Sequence, residues 1–338
     1  MIRVFRGSEP KEMRLARRRF LAAAILARRA GRSVDFSGYA EMKELLVERL
    51  NYKCVYCEFD LRREGNPVEH FRPKARVENE GNVPDPDRYW WLAWTWENLF
   101  FACGKCNTHQ KKNQFPLEPG SAPLDEYDFD LDKEKPLLVD PENDEPRDHI
   151  RFRWSPARQK WLPYAFSNSA RGAATIKILN LDEDDHAQQH VEHSVMPWVE
   201  QLEDTGDNEL QKVWTRATRS LFAPNRPFHA LSWDVLDMRF PRSFREKHRL
   251  QLPVLGDQST RIQSNPIDFD QADDPPEFYD LSDDLKLKLR ALPDAEKGET
   301  LRELLEEVQS LRSWTNAELA RLFGRAESTI KRWLRQMP

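Results

Sequence analysis

Cys54-Val-Tyr-Cys57 and Cys103-Gly-Lys-Cys106 contain every cysteine of the chain, two pairs at CxxC spacing. A thiolate pair at this spacing grips one face of a zinc ion, and two pairs complete a closed tetrahedral site. Such a site has no open position, so this zinc is expected to hold the fold and not to do chemistry. Reading one CxxC as a redox pair leaves the other unexplained. Between the pairs stand Glu69-His70 and Asn98, and Asn107 directly follows the last cysteine. Hydrolysing a phosphodiester needs an activated water, a cation to stabilise the leaving oxygen, and in-line positioning. A neutral imidazole at His70 can take the water's proton near neutral pH. Glu69 and Asn107 offer hard oxygens that suit Mg²⁺ or Mn²⁺, with His109 a rival to Asn107.

The elements that must position these groups are short. Residues 66–70 read as an extended run ending in Glu69-His70, residues 98–103 as a second strand, and residues 105–112 as a helix. In this order the residues resemble the HNH nucleases, whose ββα-metal fold carries an acidic–His pair, an Asn and a helix ligand. The corresponding positions here would be His70, Asn98 and Asn107. The wording C-x-Y-C-E, E-H-F-R-P-K, W-x-N-L, C-x-x-C-N and F-P-L looks like the HNH partner of retron- and Septu-type anti-phage systems. It covers about residues 50–120, with a weaker echo at 170–181. The resemblance implies that Asn98 orients the base or the strand pair. It favours Asn107 over His109 as the helix ligand, because Asn107 follows the cysteine. It also implies a defence or mobile-element setting with an ATPase partner, and this chain has no G-x-x-x-x-G-K-[ST] run of its own. Many members have Asp where this chain has Glu69, which alters the reach of that carboxylate. Arg72, Lys74, Lys111 and Lys112 are the candidates for flanking phosphates. The rival reading is a zinc ribbon that only binds a partner, with Glu69-His70 incidental.

The rest of the composition bounds the answer. With 338 residues there is room for two or three domains. No apolar run is long enough to span a bilayer, and the stretch at 21–27 is flanked by arginines. A cytoplasmic protein is expected, where zinc-bound thiols stay reduced. The net charge of −5 is not the overall signature of a nucleic-acid binder. Its distribution matters more: residues 1–32 hold ten Arg/Lys against two Glu, and residues 121–150 hold eleven Asp/Glu against three Lys/Arg. That layout allows a basic face for DNA or RNA.

Along the chain, residues 10–30 read as an amphipathic helix with Leu15, Phe20, Leu21, Ile25 and Leu26 inward, either packed on a core or tracking phosphates. Ser37 is expected to cap a second helix over 38–50. The cluster Tyr89, Trp90, Trp91, Trp94 and Trp96 is expected to be core, with base stacking the alternative. Residues 118–145 read as a solvated connector, with a strand at 136–140, and 150–154 with 160–165 as a hairpin. Residues 168–222 read as helical. His186, His190 and His193 fall on one face, more simply as surface or core residues than as ligands, and Pro197 is placed to kink or end that helix. Residues 251–284 read as an acidic, proline-rich linker. After a helix at 294–311, Thr315-Asn-Ala-Glu318 is a capping box. Ala320, Gly324, Ile330 and Trp333 have helix-turn-helix spacing, which turns Ser328, Thr329, Lys331 and Arg332 toward DNA or, alternatively, serves protein contacts.

The sequence thus predicts a mostly helical α+β chain in five stretches. These are a basic helical segment (1–50), a zinc-stapled nuclease domain (51–120), a mainly helical region (121–250), a linker (251–284) and a helix-turn-helix (285–338). The expected activity is divalent-metal-dependent cleavage of nucleic acid, DNA favoured over RNA. The alternatives are a non-catalytic DNA-binding regulator and an adaptor of a defence complex.

Overall fold

The computed structural model describes residues 1–38, 40–62, 68–79, 84–256, 274–292 and 299–336. The chain divides into two compact units, the first holding residues 1–8, 39–93 and 97–262, the second 9–38, 94–96 and 263–338. Helices dominate both, and among the described residues the strands form two small antiparallel sheets, so the protein is α+β and mostly helical. No helix among the described residues is long and apolar enough to cross a membrane.

In the first unit, α2 (Ala40–Arg49) leads into the cysteine-rich stretch. Strand β1 (Val68–His70) pairs with β2 (Leu99–Phe101), with Glu69 opposite Phe100 and His70 opposite Leu99. All three β2 residues are buried, which is why Leu-Phe-Phe shows no alternation. A π helix, Lys105–Lys111, follows. The expected hairpin forms from β3 (Ile150–Ser155) and β4 (Lys160–Ala165). Helices α3 (Ala170–Leu179), α4 (Asp185–His190), α5 (Met196–Glu203), α6 (Asp207–Leu221), α7 (His229–Arg239) and α8 (Arg242–Lys247) complete the unit. Along α6, Leu210, Val213, Trp214, Ala217 and Leu221 recur every three or four residues. Their stripe packs with Val191, Val195, Val199 and Val235 in one core.

Three sequence expectations change in this unit. A π turn, Val191–Val195, separates α4 from α5, and its wider pitch breaks the alignment of the three histidines. His190 is buried on the Ser232 hydroxyl at 2.8 Å, His186 stacks on Phe59, and His193 is exposed. Pro197 neither kinks nor ends the helix, because it sits in the first turn of α5, where its missing N–H is not required. The acidic stretch is not a solvated connector. Glu134 pairs with buried Arg72 at 2.6 Å, Glu142 with buried Arg6, and Asp144 with Arg171 at 2.7 Å, while Glu126 accepts from the Trp90 indole at 2.6 Å. Three of its carboxylates thus pair with internal cations, and at 136–140 the one strand-type pairing among the described residues is the bridge of Pro136 to Leu117.

In the second unit, α1 (Lys11–Arg29) packs against α9 (Asp283–Ala291). Leu21 and Ile25 are buried as expected, but Leu15 is exposed. Arg17 and Arg18 turn inward in its place, onto Glu9 at 2.8 Å and onto Asp274. Periodicity could not reveal those carboxylates, which lie outside the helix. The Ser37 hydroxyl donates to Asp35 at 3.0 Å, and the start of the helix that it is expected to cap lies partly outside the described residues. The chain turns at Gly38, whose φ of +95° and contact with the Phe20 ring leave no room for a Cβ. Trp94 stacks between Phe20 and Phe36, and all five aromatics of its cluster are buried, as core. The expected linker is shorter than read. Its residues 257–273 lie outside the described residues, but a 3-10 turn, Pro276–Asp280, buries Phe278, and α9 starts at a Ser282 cap. Beyond it come α10 (Glu299–Leu311), α11 (Asn316–Leu322) with its Thr315–Glu318 capping box, and α12 (Glu327–Gln336). Residues 294–298 of the expected long helix lie outside the described residues. Of the basic N-terminal stretch, α1 belongs to the second unit and α2 to the first.

Candidate active site and metal centre

The four cysteines meet. Their Sγ atoms all lie within 4.8 Å of one another. Zinc–sulfur bonds of about 2.3 Å in a tetrahedron place the sulfurs roughly 3.8 Å apart, and Cys57 and Cys103 are at 3.8 Å. Two backbone features build the cluster. The Cys54 N–H donates to Phe59 O and the Val55 N–H to Phe101 O, which lays the first CxxC turn on the end of β2. The Cys106 N–H donates to Cys103 Sγ at 3.3 Å. Four thiolates this close repel one another. Sulfur hydrogen bonds from Cys106, Cys54 and Cys57 pull Cys103 far below the ordinary thiol range, and the same bond to Cys103 pushes Cys57 and Cys106 up. A dication relieves that conflict. The cluster can therefore hold a metal such as zinc. We expect about one zinc per chain in protein purified without added metal, and loss of both the zinc and the local fold in Cys57→Ser. Unchanged zinc in that variant by elemental analysis would remove the assignment.

His70 is 8% exposed at the end of β1. Its Nε2 lies 2.9 Å from Ala93 O. A carbonyl only accepts, so Nε2 carries the proton and Nδ1 the lone pair. Burial, then the Lys74 charge, lowers the imidazole to about 3, against a smaller opposing effect of the Ala93 bond. The ring is neutral at pH 7.

Glu69 leaves the opposite face of the strand and is 1% exposed. Its Oε1 accepts from the Tyr56 hydroxyl at 3.0 Å and from Lys111 Nζ at 2.8 Å. Oε2 has no partner among the described residues. Desolvation raises the Glu69 carboxyl above its ordinary range, and Lys111 opposes this. Lys111 also donates to His70 O at 2.8 Å. Thus Tyr56 of the first CxxC, β1 and the π helix are joined through one buried carboxylate. Asn98, wholly buried, accepts from the Arg72 N–H at 2.7 Å and donates to Arg72 O and Leu92 O, which fixes the exit of β1. Asn107 donates to Val68 O at 3.4 Å, leaving Oδ1 for another partner. His109 is exposed, with Nδ1 on Gly104 O.

Two phosphate candidates are internal. Arg72 is sealed against Glu134 and Leu131 O, and Lys111 is fully buried. Isolated basic residues after a strand look like surface groups until their carboxylates are placed. Lys74 is half-buried and Lys112 is exposed. In the second unit, Ser328, Lys331 and Arg332 are exposed on α12 and Thr329 is partly so. Sequence reasoning missed two parts of the site: the Ala93 carbonyl, which has no side-chain signal, and Tyr56, which stood in plain view as the Y of C-x-Y-C.

No family model matches the chain, and no solved structure matches it. It is 38% identical over 127 residues to Septu protein PtuB of Bacillus mycoides (strain KBAB4), covering 35% of this chain and 41% of that one. It is 27% identical over 149 residues to Septu protein PtuB of Bacillus thuringiensis, 43% of either chain. It is also 25% identical over 208 residues to Septu protein PtuA of Bacillus mycoides (strain KBAB4), 59% of this chain and 28% of that one. The chain spans less than half the length of each of these relatives, and all three are Septu proteins, the group its motif wording resembles.

Proposed function

We propose that the protein is a divalent-metal-dependent endonuclease of the HNH type, acting on DNA in anti-phage defence. The observation that carries this is the neutral, buried His70. Its Nε2–H is spent on Ala93 O, so a proton would be taken at Nδ1, and it follows Glu69 in the chain on a strand next to the four-cysteine cluster. The strand–strand–helix order of β1, β2 and the π helix is that of a ββα-metal site. His70 acts as the general base on an attacking water. Asn98 holds the loop that follows it. Glu69 Oε2 and Asn107 Oδ1 are the hard oxygens that fit Mg²⁺ or Mn²⁺, with His109 as a rival. Such an ion supplies charge stabilisation at the leaving oxygen. Lys74 and Lys112 are the phosphate contacts that remain.

Supercoiled plasmid incubated with purified protein and Mg²⁺ or Mn²⁺ tests the reading: metal-dependent nicking is expected, and none under any metal would leave a DNA-binding regulator. The Septu relatives support the defence setting and a partner protein, in line with the ATPase partner that the resemblance implies.

We read α11 and α12 as a helix-turn-helix, with Gly324 at φ +58° in the turn and Ile330 buried. Lys331→Ala with Arg332→Ala should lower the slope of log affinity against log salt by about 2, while nicking at saturating protein persists. Point variants suit this test better than truncation, because Leu319, Phe323 and Ile330 share one core with α9 and α10. Superimposable binding curves across salt would make the pair a protein-contact module.

A further inference from the structure

A concavity lies in the first unit, lined in part by Cys54, Val55 and Glu58 of the first CxxC turn. Its volume is about 340 Å³. Three cations line it, Arg3, Arg49 and Lys53, against one carboxylate, Glu58. That carboxylate is already satisfied. The Met1 ammonium lies 2.9 Å from Oε1, the His229 N–H donates to Oε2 at 2.8 Å, and the Ala230 N–H donates at 3.3 Å. Its charge still acts on Lys53, but burial outweighs it and leaves the lysine pKa lowered.

Lys53 is the informative residue. It is 8% exposed, and among the described residues its ammonium has no hydrogen-bond or ion-pair partner. Its stem is covered while its ammonium stays accessible at the pocket wall, where it can meet an anion. Its backbone is fixed by a bridge to Asp60 and by the left-handed residues Asn51 and Tyr52 just before it. Arg49, exposed near the end of α2, likewise has no partner among the described residues, and its guanidinium stands over Gly7. Arg3 uses Nε on Glu142 O at 3.1 Å, which orients its remaining N–H groups. In a protein of net charge −5, three converging cations with one spent carboxylate make a local excess of positive charge. The walls are apolar, from Ile2, Phe222 and Leu255.

We propose that this pocket binds a phosphate-bearing small molecule, its phosphate held by Lys53, Arg49 and Arg3 and its organic part against Ile2, Phe222 and Leu255. Arginine supplies paired donors that match phosphate oxygens, and lysine supplies a point charge. The site is separate from the nuclease reading and does not depend on it.

Calorimetric titration of the full chain tests it, using His70→Ala protein so that turnover does not intrude. Inorganic triphosphate and ATP serve as the two probes. Saturable binding is expected for ATP, and binding of ATP tighter than that of triphosphate assigns a role to the apolar wall. Equal binding assigns the site to the phosphate alone. Lys53→Met and Arg49→Ala should each weaken binding about tenfold or more, and Lys247→Ala on the exposed face of α8 should not. Arg49 is exposed, so its variant is expected to fold even if Lys53→Met does not. No binding of either probe at millimolar concentration overturns the proposal. So does binding that Arg49→Ala leaves unchanged.

Discussion

His70→Ala is expected to lower the nicking rate by about 10²–10⁴, the usual worth of a positioned general base. Zinc content and nucleic-acid binding should persist, because the strand register is held by β2 and the cysteine cluster by its own residues. The pH profile adds a second readout. Burial and Lys74 depress the imidazole to about 3, so the acid limb of the rate should lie well below the ordinary histidine value of about 6.5. A limb at the ordinary value would place the essential base elsewhere. Purified His70→Ala protein that nicks at the wild-type rate, with contaminating nuclease excluded, sinks the active-site assignment.

Lys111→Met is expected to be among the most damaging single changes in the first unit. It leaves the Glu69 carboxylate buried beside only the Tyr56 hydroxyl and strips the cap from His70 O. Removing one partner of a buried ion pair typically costs about 3–5 kcal/mol. The sign follows from the burial: desolvation already raises the Glu69 carboxyl and Lys111 opposes it, so without the ammonium the charged form is less favourable still. Adding Glu69→Gln should recover part of the loss, since a neutral amide does not need the cation. Urea unfolding followed by tryptophan fluorescence measures both variants. A Lys111→Met midpoint equal to wild type would mean that the pair is not buried as described.

The parts of the site that could be read from sequence are those fixed by spacing. Two CxxC pairs must converge to bind one metal, so Cys54, Cys57, Cys103 and Cys106 were legible without a fold, and they meet. The β3–β4 hairpin and the Thr315–Glu318 capping box were legible for the same reason, since local periodicity and local hydrogen bonds define them. Long-range charge pairing was not legible. Arg6 with Glu142, Arg72 with Glu134 and Arg18 with Asp274 each join residues far apart in the chain. Taken one segment at a time, the basic N-terminal stretch looked like a surface for phosphates and the acidic stretch like a solvated connector. Folded, Arg6 and Glu142 of these two stretches neutralise each other in the interior, Arg18 and Glu134 find partners elsewhere, and the N-terminal stretch contributes a brace. The Arg6 guanidinium lies 3.8 Å from the centre of the Phe100 ring and donates to Leu99 O.

The pairing of α1 with α9 has a consequence for how the chain is made. On a ribosome α9 emerges some 250 residues after α1. At about 5–20 residues per second, the face of α1 carrying Leu21 and Ile25 waits on the order of ten seconds or more for its partner. During that interval Arg17 can already take Glu9 from the same short segment, whereas Arg18 has no Asp274 to meet. The second unit can close only after α9 has emerged, so a nascent chain arrested before α9 should present α1 as a binding site for chaperones.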